Sequence, residues 1–188
     1  MHSGFITTAI VHNLSLAVAY GGTIYGKTAL GPAVLQGISR DRERGRVMQI
    51  AWNEFNKRNV PAHLALSMTW LVQRNGIKRF TSDRATLRLV AIKDALTLGA
   101  LVTGVANVAA SKMLEREYPE GVPIPAEGNV SPESAARITR YVNFFRVVGG
   151  LNVALLGASI AVGPLLGASI IRSRRGGLAG RLLRMLKQ

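Results

Sequence analysis

The chain contains no cysteine. That excludes a disulfide framework, a thiolate metal site and a cysteine nucleophile. Acids are scarce: ten Asp and Glu stand against twenty-four Lys and Arg, for a net charge of +14. Aromatics make up only 6%, and the bases sit in blocks between and after apolar segments. Such blocks suit anionic phospholipid headgroups, and no nucleic-acid partner is expected. There is no Gly-rich phosphate loop, no HExxH pattern and no serine nucleophile elbow. Glu54, with Asn53 and Asn56 beside it, has no second carboxylate in a readable motif. The chain therefore reads as not an enzyme, and no cofactor is required by any motif.

What is present is apolar length. Between Arg146 and Arg172 lie 147–171, a stretch without a single charge. As a helix it would be about 37 Å long, enough for a hydrocarbon core of about 30 Å. Arg172, Arg174 and Arg175 close it. The composition agrees, at 48% hydrophobic with 20 glycines; small residues let membrane helices approach closely. The expectation is an all-α integral membrane helical bundle, one domain over 1–188. It has four membrane-associated segments, three or four of them spanning, plus basic amphipathic interfacial helices.

The first helix is expected over about 4–35. Its apolar part begins almost at Met1 with no basic stretch before it, so it reads as retained rather than cleaved. Lys27 marks an interface, and Gly22 with Gly26 forms a GxxxG pair. The second helix is expected over about 40–73. Its first half carries Arg40, Asp41, Arg42, Glu43, Arg44 and Arg46, then Met48, Trp52 and Phe55 near one face. That half reads as an interfacial amphipathic helix with Trp52 in an aromatic belt, or as a helix docked on the bundle. Its second half, Val60 to Val72, is short for a span. It is either the membrane half of one long helix or a re-entrant segment.

Gln73 to Arg84 reads as a basic turn, with Asn75-Gly76 as the break and Lys78 and Arg79 in it. The third helix is expected over about 85–112, with Gly99 and Gly104 for packing. A proline-rich extramembrane loop follows over 113–131. Ser131-Pro132-Glu133 is a helix start, opening a fourth helix over about 132–171 that contains Gly163 and Gly167. The hexapeptide Leu155–Ile160 recurs as Leu165–Ile170. Ten residues turn a straight helix about 80° short of three full turns, so the copies are not expected to share a face. The tail 172–188, with Arg181 and Arg184, reads as a short basic amphipathic helix on an anionic surface.

The first segment carries His12, then after eight residues Gly21-Gly22, then Gly26 and Pro32. This resembles the first helix of copper-resistance D-type small bacterial membrane proteins and their uncharacterised relatives. The resemblance covers about thirty residues and implies a bacterial cytoplasmic (inner) membrane and an association with copper handling. Only His12 and His63 lie in apolar segments. Two imidazoles on neighbouring helices can ligate a haem iron, or a copper with Met68; the competing reading is that each hydrogen-bonds across a helix interface. Lys93 and Asp94 lie near an apolar core, and Asp94 could pair with Lys27 or with an arginine of the preceding turn.

The expected role is that of a non-catalytic accessory or structural subunit. Gly22, Gly26, Gly99, Gly104, Gly163 and Gly167 would pack helices, with other integral membrane proteins as partners. Arg40, Arg42, Arg44, Lys78, Arg79, Arg172, Arg174, Arg175, Arg181 and Arg184 would meet anionic phospholipids. The alternative is a small haem- or metal-binding redox or carrier protein using His12 and His63. The positive-inside rule puts the basic C-terminus in the cytoplasm.

Overall fold

In the computed structural model the described residues are 2–127 and 136–185, with side chains described for 4, 6–127 and 136–173. They form helices and no strand. Helix α1 (His2–Tyr25) runs through a π-helical turn (Gly26–Leu30) into α2 (Gly31–Gly37). Then come α3 (Asp41–Phe80), α4 (Arg84–Glu117) and α5 (Ala136–Met185).

The π turn has a local cause. Pro32 sits in the first turn of α2 and has no N–H to give the carbonyl of Thr28. The backbone widens instead, and the Gly31 N–H reaches back to the Gly26 carbonyl. The rod continues through Pro32 to Gly37, a little past the expected end.

Cross-helix contacts fix the topology. α1 and α3 are antiparallel: the Gln73 amide donates to the Thr8 carbonyl at 3.3 Å, and Phe55 lies against Gly22. α3 and α4 are antiparallel through Trp70–Asp94 and Asn53–Ser111. α4 and α5 are antiparallel through Thr86–Ser169 and Asn152–Thr103. α5 returns to α1, with Gly157 beside Tyr20. The result is an up-down-up-down bundle in a closed ring. One apolar layer takes a residue or two from every long helix: Leu16, Ala19, Leu66, Ala100 and Leu156. A second, nearer the chain ends, holds Trp70, Ile77, Val90 and Leu166.

Several helix ends differ from expectation. α3 is one helix of 40 residues, so Val60–Val72 is its second half. It passes straight through Asn75-Gly76 because Gln73 and Ile77 are buried on the bundle side; packing overrides the break signal, and Gly76 faces open space. The actual turn is Thr81–Asp83. Asp83 caps α4, accepting from the Thr86 N–H at 2.9 Å and the Thr86 hydroxyl at 2.7 Å. α4 runs to Glu117, past the expected end at 112. The tail is not a separate helix, since α5 continues to Met185. Ser131-Pro132-Glu133 lies outside the described residues.

The Leu155–Ile160 and Leu165–Ile170 copies both face inward, with Leu156 and Leu166 buried. They meet different neighbours: Leu156 belongs to the layer shared with α1, and Leu166 to the layer of Trp70 and Val90. The expectation that the copies do not share a face is corrected: Leu156 and Leu166 are both buried and Ala158 and Ala168 both exposed, because the buried stripe of this helix is broad.

The amphipathic first half of α3 docks on the bundle. Trp52 lies against Gly26 and Phe55 against Gly22, with the two rings edge to face at 5.7 Å. The loop after α4 crosses the start of α3. Gly121 takes a φ of +90°, which favours glycine. A Cβ on Gly45 would fall 1.7 Å from the Val122 carbonyl oxygen, so only glycine admits the loop there. Arg44 is the tie. It is 5% exposed and donates to the carbonyls of Ile38, Ser39 and Ile124 and to the Asp41 carboxylate. Its expected role on lipid headgroups is therefore corrected: it holds the α2–α3 turn to the loop.

Candidate functional site

The interior of the long helices mixes polar with apolar side chains, and their outward faces are rich in large apolar ones. His12, Thr23, His63, Lys93, Thr97, Asn152 and Ser159 are buried, while Leu14, Met68, Leu98, Val147 and Leu165 are among the exposed large apolar side chains. Among the described residues two helices are long and apolar enough to cross a membrane: Arg84–Glu117, and α5 from Ala136 to Ser173. Their mean hydropathies are 1.7 and 2.0 over the best 18 residues.

The interior polar groups fall into two clusters. In the first, His12 Nδ1–H faces the Leu66 carbonyl at 3.3 Å and the Thr69 hydroxyl at 3.2 Å. Among the described residues its Nε2 has no hydrogen-bond partner, nor do the buried hydroxyls of Thr97 and Ser159. The Trp70 ring lies 6.3 Å from the imidazole and carries the Lys93 ammonium at 4.9 Å from its centroid. Asp94 turns the other way, to Arg74 at 2.8 Å, with Lys78 at 3.8 Å. An arginine of the segment before α4 is thus its partner, and Lys27 is not.

In the second cluster, His63 Nδ1–H donates to the Asn59 carbonyl at 3.0 Å. Asn152 Nδ2 donates to the Ala100 carbonyl at 2.8 Å and the Thr103 hydroxyl at 2.9 Å, and reaches His63 Nε2 at 3.5 Å. The His63 ring is pressed on α4, its Nε2 2.9 Å from where a Cβ on Gly104 would lie.

Above this cluster, between the four long helices and under the 122–124 loop, is a cavity of about 400 Å³. Its polar lining includes Thr23, Lys27, Gln49, Asn56, Asn59, Asn107, Ser111 and Asn152. Its apolar and aromatic lining includes Trp52, Phe55, Phe145, Leu114 and Ile138, and Arg146 also lines it. Among the described residues the buried Oδ1 atoms of Asn59 and Asn107 have no hydrogen-bond partner. Sequence reading missed this site. Its walls come from positions more than a hundred residues apart, and the one local sign was Asn59 four residues before His63 on the same helical face.

The two histidines are not brought together as a ligand pair. His63 Nε2 is enclosed by Gly104 and Asn152, and the free nitrogen of His12 shares its surroundings with a lysine ammonium, which opposes a metal cation. Among the described residues no three His, Asp or Glu side chains come together as a ligand set. These residues do not fit a haem or a copper held between them.

The glycines divide. Gly22, Gly26, Gly99 and Gly104 receive Phe55, Trp52, Leu155 and His63 from within the chain, and Gly163 lies near Lys93. Gly167 meets nothing within 4 Å. Of the basic residues, Arg40, Arg42, Lys78, Arg79 and Arg172 are exposed. The side chains of Arg174, Arg175, Arg181 and Arg184 lie outside the described set.

No family model, curated protein or solved structure matches this chain.

Proposed function

We propose that this is a non-catalytic integral membrane protein whose four long helices all cross the bilayer, serving as an accessory or structural subunit beside other membrane proteins. The observation that carries the reading is the large apolar outer surface of the bundle around an interior that holds many polar groups. Each large apolar side chain left facing water forgoes about 1.5–3 kcal/mol of burial, and α1, α3, α4 and α5 all expose several. Against lipid that loss vanishes, while buried polar groups such as Asn152 and Gln73 bond across helix interfaces.

Charge supports one orientation. The end with the chain termini carries Arg74, Lys78, Arg79, Arg84, Arg88 and Arg172, with Asp83 and Asp94 as its acids, and α5 continues there through Arg174, Arg175, Arg181 and Arg184. At the other end, bases alternate with Asp41, Glu43, Glu54, Glu115, Glu117, Glu120 and Glu127. The positive-inside rule then puts both termini in the cytoplasm, and the first-helix resemblance suggests a bacterial inner membrane. The subunit role draws on outward glycines with open space, Gly21, Gly150 and Gly167, where a partner helix could approach closely. Exposed basic side chains would sit on anionic phospholipid headgroups.

The natural chain lacks cysteine, so single cysteines report cleanly. Ser39→Cys should react with an impermeant maleimide on intact cells, and Ser82→Cys only after lysis. Labelling of both from outside, or extraction of the protein by alkaline carbonate, defeats the four-span reading. Purification in mild detergent at native expression should bring down a stoichiometric membrane partner; a lone bundle would remove the subunit role.

A further inference from the structure

The cavity above Asn59 is built as a binding site for an amphipathic anion. Three observations converge on it. First, it is enclosed and of mixed character. Asn59 and Asn152 lie deepest, at the level of Gly104, while Lys27 and Asn107 meet at Gly149 and Trp52 and Phe55 lie against Gly26 and Gly22. Polar groups and aromatic rings thus face one space.

Second, the lining includes the cation Lys27 and, among the described residues, no carboxylate. Lys27 Nζ would lie 3.2 Å, and Asn107 Oδ1 3.9 Å, from a Cβ placed on Gly149, so an ammonium and an amide oxygen share one wall. Among the described residues Lys27 has no ion-pair partner. Third, Asn59 is 7% exposed, and among the described residues its Oδ1, like that of Asn107, has no hydrogen-bond partner. Buried polar atoms are ordinarily satisfied, so each is an acceptor awaiting a donor.

We propose that this cavity binds a small amphipathic anion. Its carboxylate or phosphate would lie at Lys27, and a hydroxyl or N–H beside it would donate to the Asn59 or Asn107 amide oxygen. Its apolar body would lie against Trp52, Phe55 and Phe145. The volume falls in the range of small-molecule pockets, about 300–1,000 Å³, and an apolar lining with a few placed polar groups is their usual composition. The shared chemistry admits two sources, a lipid headgroup or a free organic acid.

Trp52 reports on the site directly, because the other tryptophan, Trp70, is buried away from the cavity. The protein in phosphatidylcholine nanodiscs is titrated with octanoate, octyl phosphate, octanol and octyltrimethylammonium, reading tryptophan emission. The two anions should give a saturable change at least about tenfold tighter than the neutral and cationic amphiphiles. Lys27→Gln should weaken the anions about tenfold and leave octanol unchanged. Asn59→Leu should weaken octyl phosphate, whose P–OH can donate to the amide oxygen, more than octanoate, which has no donor, with the melting temperature as its folding control. Equal, unsaturable responses to all four amphiphiles, or anion binding indifferent to Lys27→Gln, overturn the proposal. Native mass spectrometry of protein drawn from cells separates the sources: a retained phospholipid mass gives the first, a small acid the second. Binding can fail while the cysteine labelling succeeds, so this inference and the membrane reading fall separately.

Discussion

The Trp70 indole N–H donates to the Asp94 carboxylate at 2.8 Å, while the Lys93 ammonium lies over the face of the same ring at 4.9 Å. Two adjacent residues of α4 thus grip one side chain of α3, one by its polar edge and one by its π face. Asp94 also accepts from Arg74. Asp94→Ala should therefore cost more than Asp94→Asn. Alanine leaves a buried indole N–H and an arginine without an acceptor, at about 2–3 kcal/mol. Asparagine keeps an oxygen for the indole and loses the charge and the acceptor for the half-exposed Arg74, at about 1 kcal/mol. Melting both variants in one detergent checks the order; equal losses would mean that the indole bond contributes nothing.

Glycine substitutions should separate by what they meet. A Cβ on Gly22 would lie 2.2 Å from the Phe55 ring, whereas one on Gly21 meets nothing within 4 Å. Gly22→Ala forces Phe55 to move and is expected to cost about 1–3 kcal/mol. Gly21→Ala is expected to be neutral, or to stabilise by up to about 1 kcal/mol through helix propensity. Thermal denaturation of the pair reads this directly, and a larger loss at Gly21 would contradict the α1–α3 register.

Much of this architecture was legible in the chain. Apolar runs located four helical segments, and the uncharged stretch between Arg146 and Arg172 lies within the longest helix. Helix ends were harder to read. Asn75-Gly76 is a strong local break, yet burial of Gln73 and Ile77 carries α3 through it. Pro61 inside α3 gave no warning of a 40-residue helix, because a proline in a packed helix is tolerated when neighbouring helices hold the backbone. Arg44 looked like its exposed neighbours Arg40 and Arg42; only the crossing loop makes it interior. The cavity was illegible for a similar reason, since no local pattern announces that Lys27, Asn59, Asn107 and Phe145 share one space.

Arg44 should behave unlike those neighbours. Its guanidinium satisfies three carbonyls and a carboxylate from a buried position. Arg44→Ala should cost about 3–5 kcal/mol and raise hydrogen exchange at residues 121–124. Arg42→Ala should do neither. Exchange mass spectrometry that finds the loop equally protected in both variants would refute the tie.

The α4 cap makes stability depend on acid. Hydrogen bonds from the Thr86 side chain and backbone N–H hold the Asp83 carboxyl below its ordinary value of 3.8. A carboxyl depressed on folding stabilises the fold at pH above its unfolded value, and that contribution is lost as pH falls through the folded value. Melting temperature should therefore fall from pH 5 toward pH 3 more steeply in the natural protein than in Asp83→Asn, whose amide caps without titrating. Parallel slopes would show that the cap does not report on pH.

Lys93 yields the expectation that runs against habit. It is 5% exposed, and among the described residues it forms no ion pair, because Asp94 is engaged by Arg74 and Lys78. An ammonium removed from water without a carboxylate is costly, and a ring face offsets only part of that cost, at about 2 kcal/mol. Lys93→Met keeps the length and apolar stem and removes the charge. Replacing buried charge with a well-packed apolar residue is often stabilising, by about 1–4 kcal/mol, so the variant should melt higher than the natural protein. The same substitution leaves in place the His12 Nε2 and Ser159 hydroxyl, which have no hydrogen-bond partner among the described residues, so any gain is attributable to the ammonium. A lower melting temperature would mean that Lys93 donates to something within the bundle that offsets its charge, and would move attention from the cavity to this central layer.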